Sequence, residues 1–257
     1  RGLEEFQKAG FTPVEGDTWA EFPELTFFCG SVNRRAVEQA VKAFQAREGV
    51  QVNTVYNGCG ILTAQMKSIS DKKLTGFPDT YMACDTYYLE VVAPLFQDAI
   101  EVSDTEVVIA VPKGNPKNIS SLADLAKPGM RVAVGQPDQC TIGVLTRKVL
   151  KAENVYDEVM ANVVTQTATS ALLIAPVSTG AADASLAYST DTKAETEKVD
   201  VVRIGTDASK AIQPVGIARS SRHKQLARRL MDAITRARSN FEDAGFHWRF
   251  GDETPGS

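Results

Sequence analysis

Residues 24–58, ELTFFCGSVNRRAVEQAVKAFQAREGVQVNTVYNG, contain the strand–helix–strand unit from which the rest of the fold follows. The segment ELTFFCGS predicts a buried strand, and Ser31 is a suitable N-cap for the helix after it. Apolar residues then recur at helical spacing up to Gly49, which ends the helix: Val32, Ala36, Val37, Ala40, Val41 and Phe44. Alternating Val50, Val52, Thr54 and Tyr56 predict a second strand.

The same alternation continues through the rest of the chain. A second helix is predicted from Gly60, and DTYMACD predicts a third strand. Further on, EVVIAVPKGNP, MRVAVGQP, NVVTQT, ASLAYS and VDVVRIG predict strands, and residues 142–151, 169–178 and 222–243 predict helices. Alternating strands and helices are typical of an α/β protein whose parallel sheets are covered by helices.

Size and charge set bounds on function. The chain has 257 residues, enough for two lobes, and a net charge of −4, which gives no reason to expect a nucleic-acid partner. No apolar run approaches the length of a membrane span, roughly 18 residues. The chain begins at Arg1 without a leader, so we expect a processed or excised fragment in which an export signal is not visible.

The four cysteines form the most informative pattern. Cys29, Cys59, Cys84 and Cys140 each lie at the end of a predicted strand. Ligands of α/β proteins bind outside the carboxyl ends of the strands. We therefore expect the four thiols to share one site.

The N-terminal region does not fit the strand–helix alternation. FQKAGF, residues 6–11, nearly repeats FEDAGF, residues 241–246. One interpretation is that residues 1–11 are the end of a preceding copy of the same domain. The other is chance similarity between two short amphipathic helix ends.

Several segments together resemble one protein family, the periplasmic molybdate-binding proteins of molybdate and tungstate ABC importers. The resemblance extends from about residue 24 to Phe250. It is carried by FFCGSVNRRAVEQAVKAFQAREGVQV, YNGCGILTAQMK, FPDTYMACD, RVAVGQPDQCTIG, SLAYSTD and FEDAGFHWRF. The resemblance implies a type 2 periplasmic-binding-protein-like α/β fold, with the ligand in a cleft between two lobes, and no catalysis.

The resemblance also implies the domain boundaries. We expect lobe I to comprise residues 24–104 and 213–250, and lobe II to comprise residues 105–212. Residues 1–23 are an N-terminal extension or the remnant of a preceding domain, and residues 251–257 are a tail. Two strands, near residues 104–107 and 211–216, are expected to join the lobes.

The family's ligand contacts carry over to named positions. Ser31 matches the first ligand-binding serine, whereas the second serine position is occupied by Cys59. Ile142, Ala168 and Tyr188 match the remaining contacts. All four cysteines fall on loops of the implied cleft, where several thiolates would repel an oxyanion.

Three interpretations of the cysteines remain open: a metal or cluster site, two disulfides, and four buried free thiols. We favour the first, because helix N-termini lower thiol pKa values and so favour thiolate ligands. A single zinc ion usually comes with Cys-x-x-Cys pairs, which are missing from this sequence. A [4Fe–4S] cluster accepts single cysteines from separate loops and is therefore favoured over zinc or Cu(I).

The sequence thus predicts a periplasmic or extracellular binding module whose cleft holds an iron–sulfur cluster or a thiophilic metal through Cys29, Cys59, Cys84 and Cys140. The alternative is an ordinary molybdate- or tungstate-binding component of an ABC importer with its cysteines in disulfides. A third hypothesis is an electron-transfer module of a larger redox protein. The expected partners are a small inorganic ligand or cluster and either an importer permease or a redox partner.

Overall fold

The first strands and helices follow the sequence closely. The computed structural model describes residues 23–251, so most of the expected N-terminal extension, with its six-residue repeat, and nearly all of the tail lie outside it. The strands are β1 (Glu24–Gly30), β2 (Gln51–Asn57), β3 (Thr80–Met82), β4 (Phe96–Pro112), β5 (Val132–Gly135), β6 (Val163–Thr167), β7 (Ala184–Tyr188), β8 (Val199–Arg203), β9 (Lys210–Ala218) and β10 (His247–Trp248).

Helices connect most of these strands. They are α1 (Arg34–Glu48), α2 (Cys59–Asp71), α3 (Thr86–Glu90), α4 (Leu122–Leu125), α5 (Thr141–Ala152), α6 (Tyr156–Ala161), α7 (Ile174–Ser178), α8 (Ser189–Lys193), α9 (Lys224–Thr235) and α10 (Arg238–Ala244). A short 3-10 helix, Ser31–Asn33, precedes α1, and a second, Ser170–Leu172, precedes α7. Gly49 ends α1 with a positive φ of 65°, which suits glycine because it has no Cβ.

The described strands lie in the order β2-β1-β3-β9-β4-β7-β5-β6, with β8 and β10 also pairing with β4. β1 runs parallel to β2 and β3, and β5 runs parallel to β6 and β7. These two parallel groups, covered by helices, confirm the predicted two-lobed α/β class. None of the helices in residues 23–251 is long and apolar enough to cross a membrane.

The strands β4 and β9 connect the two parallel groups. From Phe96 to Glu106, β4 pairs antiparallel with β9, and from Val107 to Pro112 it pairs with β7 and β8. The partner of β4 therefore changes between Glu106 and Val107. The expected lobe boundaries stay a prediction, and we keep "lobe I" and "lobe II" for those residue ranges.

The predicted single helix over 222–243 is wrong, because the chain turns between α9 and α10. Ala237, with φ −91° and ψ 32°, leaves the helical region at this turn. The turn directs Phe241 into the core, where its ring lies 5.6 Å from that of Phe246 and 5.4 Å from that of Trp248. The gain from burying this aromatic cluster outweighs the helical hydrogen bonds that the turn interrupts.

Candidate functional site

Cys59 and Cys84 meet at the carboxyl ends of β2 and β3. Cys59 is the first residue of α2, and Cys84 follows β3 by two residues. Their Sγ atoms are 2.9 Å apart, and the Cys84 N–H donates to the Cys59 Sγ at 3.2 Å. Both residues are buried, and both are free thiols. Of the four cysteines predicted to share a site, Cys59 and Cys84 are the two whose sulfurs are in contact.

The loop that carries Cys84 is fixed from three sides. Gln213 of β9 donates from Nε2 to the Cys84 carbonyl at 3.1 Å. The Asn33 Nδ2 donates to the Ala83 carbonyl at 3.0 Å. On the third side, Gly30 approaches so closely that a Cβ atom there would overlap the sulfurs of both cysteines. The thiol pair is thus held by the backbone of lobe I, and only glycine fits at position 30.

A loop of lobe II, residues 136–140, covers the start of α2. The Gln139 carbonyl accepts hydrogen bonds from Gly60 N–H at 3.0 Å and Ile61 N–H at 3.3 Å. The Tyr88 hydroxyl donates to the Pro137 carbonyl at 2.9 Å. Helix starts leave their first amides without intrahelical acceptors. Two of these amides in α2 are therefore used to close the cleft, and they are not free for a ligand.

Three buried hydroxyls lie around the thiol pair, and each of their residues is at most 1% exposed: Tyr81, Thr141 and Tyr188. The hydroxyls of Tyr81 and Thr141 face the Cys59 sulfur. The Tyr188 hydroxyl has no hydrogen-bond partner within the described residues. Buried polar atoms are almost always paired in folded proteins. The Tyr188 hydroxyl therefore marks a place beside the two thiols where a ligand can supply the missing partner.

The two thiols of the pair have opposite pKa shifts. Burial raises the pKa of Cys59, but hydrogen bonds from the Cys84 thiol, Tyr81, Thr141 and the Cys84 N–H outweigh burial and lower it. The same contact with Cys59, together with burial, raises the pKa of Cys84. Of the two thiols, Cys59 is therefore the more acidic and Cys84 the less acidic.

Cys29 and Cys140 are engaged elsewhere. The Cys29 thiol contacts the Gly30 carbonyl at 3.6 Å, and its pKa is raised by burial and by the charge of Cys59. The Cys140 thiol contacts the carbonyls of Gln136 at 3.4 Å and Thr167 at 3.5 Å. Burial raises the pKa of Cys140 to about 11. Both thiols are therefore in their neutral form at neutral pH, with backbone carbonyls as acceptors.

The predicted four-cysteine centre is not preformed. Across residues 23–251, no group of three or more Cys, His, Asp or Glu side chains is arranged to hold a metal ion. The reason is geometric, because only Cys59 and Cys84 bring their sulfurs into contact, and Cys140 turns to carbonyls of its own lobe. The alternative of two disulfides does not describe this structure either, since all four cysteines are free.

The structure brings the other predicted contacts to the same cleft. Ser31 begins a 3-10 helix that contacts the 3-10 helix Ser170–Leu172 of the opposite lobe. The Ala168 carbonyl lies against Gly58, directly before Cys59. Tyr188 ends β7 with its hydroxyl unpartnered. Ile142 lies in the first turn of α5, where its backbone N–H is the group that the resemblance implies as the contact, and its side chain is fully buried against Gly135.

Sequence reasoning missed Tyr81, Thr141 and Gln139. Tyr81 lies inside β3, two residues before Ala83, and Thr141 directly follows Cys140. Their positions next to predicted strand ends and helix starts were the available signal. Tyr81 and Thr141 contact the Cys59 sulfur, and Gln139 accepts from the first amides of α2. These contacts depend on the folded neighbours.

Comparison with known proteins gives a consistent result. The sequence profile described as bacterial extracellular solute-binding protein matches residues 25–247. The molybdate-binding proteins ModA of Mycobacterium bovis and Mycobacterium tuberculosis are each 29% identical over 230 residues, covering 86% of this chain and 84% of theirs.

Solved structures agree in fold. The Azotobacter vinelandii periplasmic molybdate-binding protein has a TM-score of 0.71 at 16% identity, over 86% of this chain and 98% of its own. The sulfate-binding protein SubI of Mycobacterium tuberculosis has a TM-score of 0.73 at 19% identity, over 87% of this chain and 86% of its own. At identities of 19% and 16%, these structures support an inference about the fold alone.

Proposed function

Because the chain belongs to the bacterial extracellular solute-binding protein family, we propose that it is the capture component of an ABC importer, acting outside the cytoplasm. It binds a small inorganic ligand in the cleft between its lobes and presents that ligand to a membrane permease. The observation that carries this proposal is the unpartnered buried hydroxyl of Tyr188 beside the thiol pair.

A buried polar group without a partner costs about 1–3 kcal/mol. A ligand that pairs with the Tyr188 hydroxyl of lobe II and also contacts lobe I relieves this cost, and it does so only while both lobes contact it. Binding is thereby coupled to closure of the cleft, which is how a capture protein signals that it is loaded.

The first candidate ligand is an oxyanion of the molybdate or tungstate type. The names of the mycobacterial relatives support it. Ser31, Tyr188 and the amides that begin α5 would supply donors, since helix N-termini favour anions. The Gln139 carbonyl opposes it, because that oxygen directs partial negative charge at the cleft and already occupies the Gly60 and Ile61 amides.

The second candidate is a thiophilic metal or a [4Fe–4S] cluster held by Cys29, Cys59, Cys84 and Cys140. The contact between Cys59 and Cys84 supports it. It requires Cys29 and Cys140 to leave their present carbonyl partners and turn to the pair. An electron-transfer role with a redox partner would follow only from a redox-active cluster.

One set of measurements tests these candidates. Protein purified without oxygen is examined for visible absorbance, iron and zinc, and is then titrated with molybdate, tungstate and sulfate by calorimetry. Tight one-to-one molybdate binding that is lost in Ser31→Ala, but kept in the exposed control Ser120→Ala, supports the oxyanion. A brown, iron-containing protein that loses its colour in Cys59→Ser supports the cluster. Failure of every ligand to bind would contradict solute capture.

A further inference from the structure

Resting on the proposed function, we propose that α8 sets how firmly the two lobes close. Lys193 holds the carboxyl end of α10, and Asp191 takes up a proton from solvent as the lobes close in mildly acidic solution. Neither residue is among the ligand contacts named above. The proposal therefore assigns to α8 a control of ligand capture from outside the cleft.

The position of α8 carries the first step. The helix begins at Ser189, directly after Tyr188, whose buried hydroxyl awaits a ligand. The Ser189 Oγ is hydrogen-bonded to the Thr105 Oγ1 of β4 at 3.0 Å, close to the point where β4 changes its partner. The start of α8 thus lies where a ligand contact and the connection between the lobes meet.

The other end of α8 contacts lobe I directly. The Lys193 Nζ donates to the Glu242 carbonyl near the carboxyl end of α10 at 2.9 Å. A cation is favourable there, because the carboxyl end of a helix carries a partial negative charge. At Gly245, which follows α10, a Cβ atom would lie only 2.8 Å from the Lys193 Cδ. Separation of the lobes at this contact removes the hydrogen bond of Lys193.

Both lobes also line a cavity of about 290 Å³ beside α8. Its charged lining residues are Arg35 from α1 of lobe I and Asp191, Glu195 and Lys198 from lobe II. The Ser170 hydroxyl faces Asp191 from the 3-10 helix that contacts residues 31–33 of lobe I. The surroundings of the Asp191 carboxyl therefore depend on how closely lobe I approaches.

A proton is linked to closure through this carboxyl. Burial raises the pKa of Asp191 to about 6, and the Ser170 hydroxyl and the charge of Arg35 oppose this rise. When the lobes separate, water enters the cavity and the pKa returns towards its ordinary value of about 3.9. Because the closed form has the higher pKa, closure is favoured in acid and weakens as the pH rises through 6. The proton comes from solvent and returns to solvent on opening.

Hydrogen exchange of the Gly60 amide measures closure without any ligand, because this N–H donates to the Gln139 carbonyl across the cleft. Its protection factor is measured by NMR on the intact, reduced chain. The Ile109 amide of β4 lies inside lobe II, paired with both β7 and β8, and reports global unfolding. Every result is expressed as the change at Gly60 beyond any change at Ile109.

Lys193→Met should lower the Gly60 protection factor about fivefold, the effect of losing a cation at a helix end. Lys113→Met is the matched control, since that lysine donates to the Thr196 carbonyl at 2.8 Å within lobe II. It should leave Gly60 unchanged. Equal protection in the wild type and in Lys193→Met, or an equal loss in both variants, would overturn the role of Lys193.

The proton uptake is tested by pH. From pH 5 to pH 7.5 the Gly60 protection factor of the wild type should fall about tenfold, as expected from a pKa of about 6 in the closed form and about 3.9 in the open form. Asp191→Asn places a neutral group of similar shape in the cavity and should show no such fall. A fall of the same size in Asp191→Asn would overturn the proton uptake.

Sodium molybdate as the probe separates this inference from the proposed function. If molybdate is captured in the cleft, it should raise the Gly60 protection factor, and Lys193→Met should need about fivefold more molybdate for the same rise. An unchanged requirement would overturn the control of capture by α8. If molybdate, sulfate and zinc all leave Gly60 protection unchanged, solute capture is contradicted, while the effects of Lys193 and Asp191 on closure stand.

Discussion

Strand β7 joins two buried polar sites of opposite character. Asp183, directly before its first residue, accepts from Lys117 Nζ at 2.9 Å, Arg131 Nη2 at 2.7 Å and Arg131 N–H at 3.0 Å. Tyr188, its last residue, has a buried hydroxyl without a partner among the described residues. The amino end of the strand is therefore completed by the protein itself, and the carboxyl end is left for a ligand.

The difference follows from the direction of the strand. In α/β folds, ligands bind beyond the carboxyl ends of the strands, while the amino ends serve stability. A buried polar group whose partners are all present stabilises the fold, whereas one without partners costs stability and must be retained for another reason. Hydrogen-bond satisfaction thus separates a structural site from a binding site within one strand.

The largest expected effect comes from removing the carboxylate at the amino end. Asp183→Ala should lower the free energy of unfolding by about 2 kcal/mol, because it removes charge-assisted hydrogen bonds to Arg131 and Lys117. Asp200→Ala, which removes an exposed ion pair with Lys113, is the matched control and should cost clearly less, because exposed ion pairs contribute little. Urea unfolding measures both. Equal losses of unfolding free energy in the two variants would mean that the partners of Asp183 add no more stability than an exposed ion pair.

The same carboxylate predicts a pH dependence. Burial alone raises the pKa of Asp183, but hydrogen bonds from Arg131 and Lys117 outweigh burial and hold it at about 2. Because the folded pKa lies below the unfolded value of about 3.9, stability from Asp183 is present above pH ~4 and is lost as the pH falls towards 2. Asp183→Asn should show a flatter stability profile in this range. A profile as steep as that of the wild type would exclude this origin.

At the carboxyl end of β7, removing a hydroxyl should not lower the free energy of unfolding. Tyr188→Phe should leave the free energy of unfolding unchanged or raise it by up to about 1 kcal/mol, since an unpartnered buried hydroxyl is removed. Tyr88→Phe is the control, because its hydroxyl donates to Pro137 across the cleft. That variant should lose about 1 kcal/mol. A clear loss in Tyr188→Phe would mean that its hydroxyl is paired.

The last prediction concerns Asp191 in α8, a carboxylate with one buried oxygen. Its Oδ2 is buried without a hydrogen-bond partner in residues 23–251, and burial raises its pKa to about 6, opposed by Ser170 and Arg35. Since the folded pKa exceeds the unfolded value of about 3.9, stability should decrease as the pH rises from 4 to 6. Thermal melting of Asp191→Asn should lack this decrease. An identical decrease in that variant would assign it to another group.

The sequence predicted the fold well where local patterns decide the structure. The periodicity in residues 24–58 gives β1, α1 and β2, because each pattern matches the burial that the sheet imposes. The sequence wrongly predicted one continuous helix across Thr235 and Arg238, where aromatic packing by Phe241 overrides the helical pattern.

The candidate site could be predicted only in part. Strand ends bring Cys59 and Cys84 to one edge of the sheet, as expected from topology. The orientation of Cys140 depends on the carbonyls of Gln136 and Thr167, which no spacing rule encodes. The contact of the Tyr81 and Thr141 hydroxyls with the Cys59 sulfur depends on how β3 and α5 pack together, and that is visible only after folding.

The antiparallel ribbon of β4 and β9 connects the two halves of the molecule. Its register is irregular between Gln97 and Ile100 and between Glu101 and Ser103, but regular from Ser103 to Glu106. Bulges make a ribbon locally compliant and increase its twist. The stretch of the ribbon in lobe I, which carries both irregularities, is therefore expected to be more strongly twisted than the regular stretch from Ser103 to Glu106 that leads to lobe II.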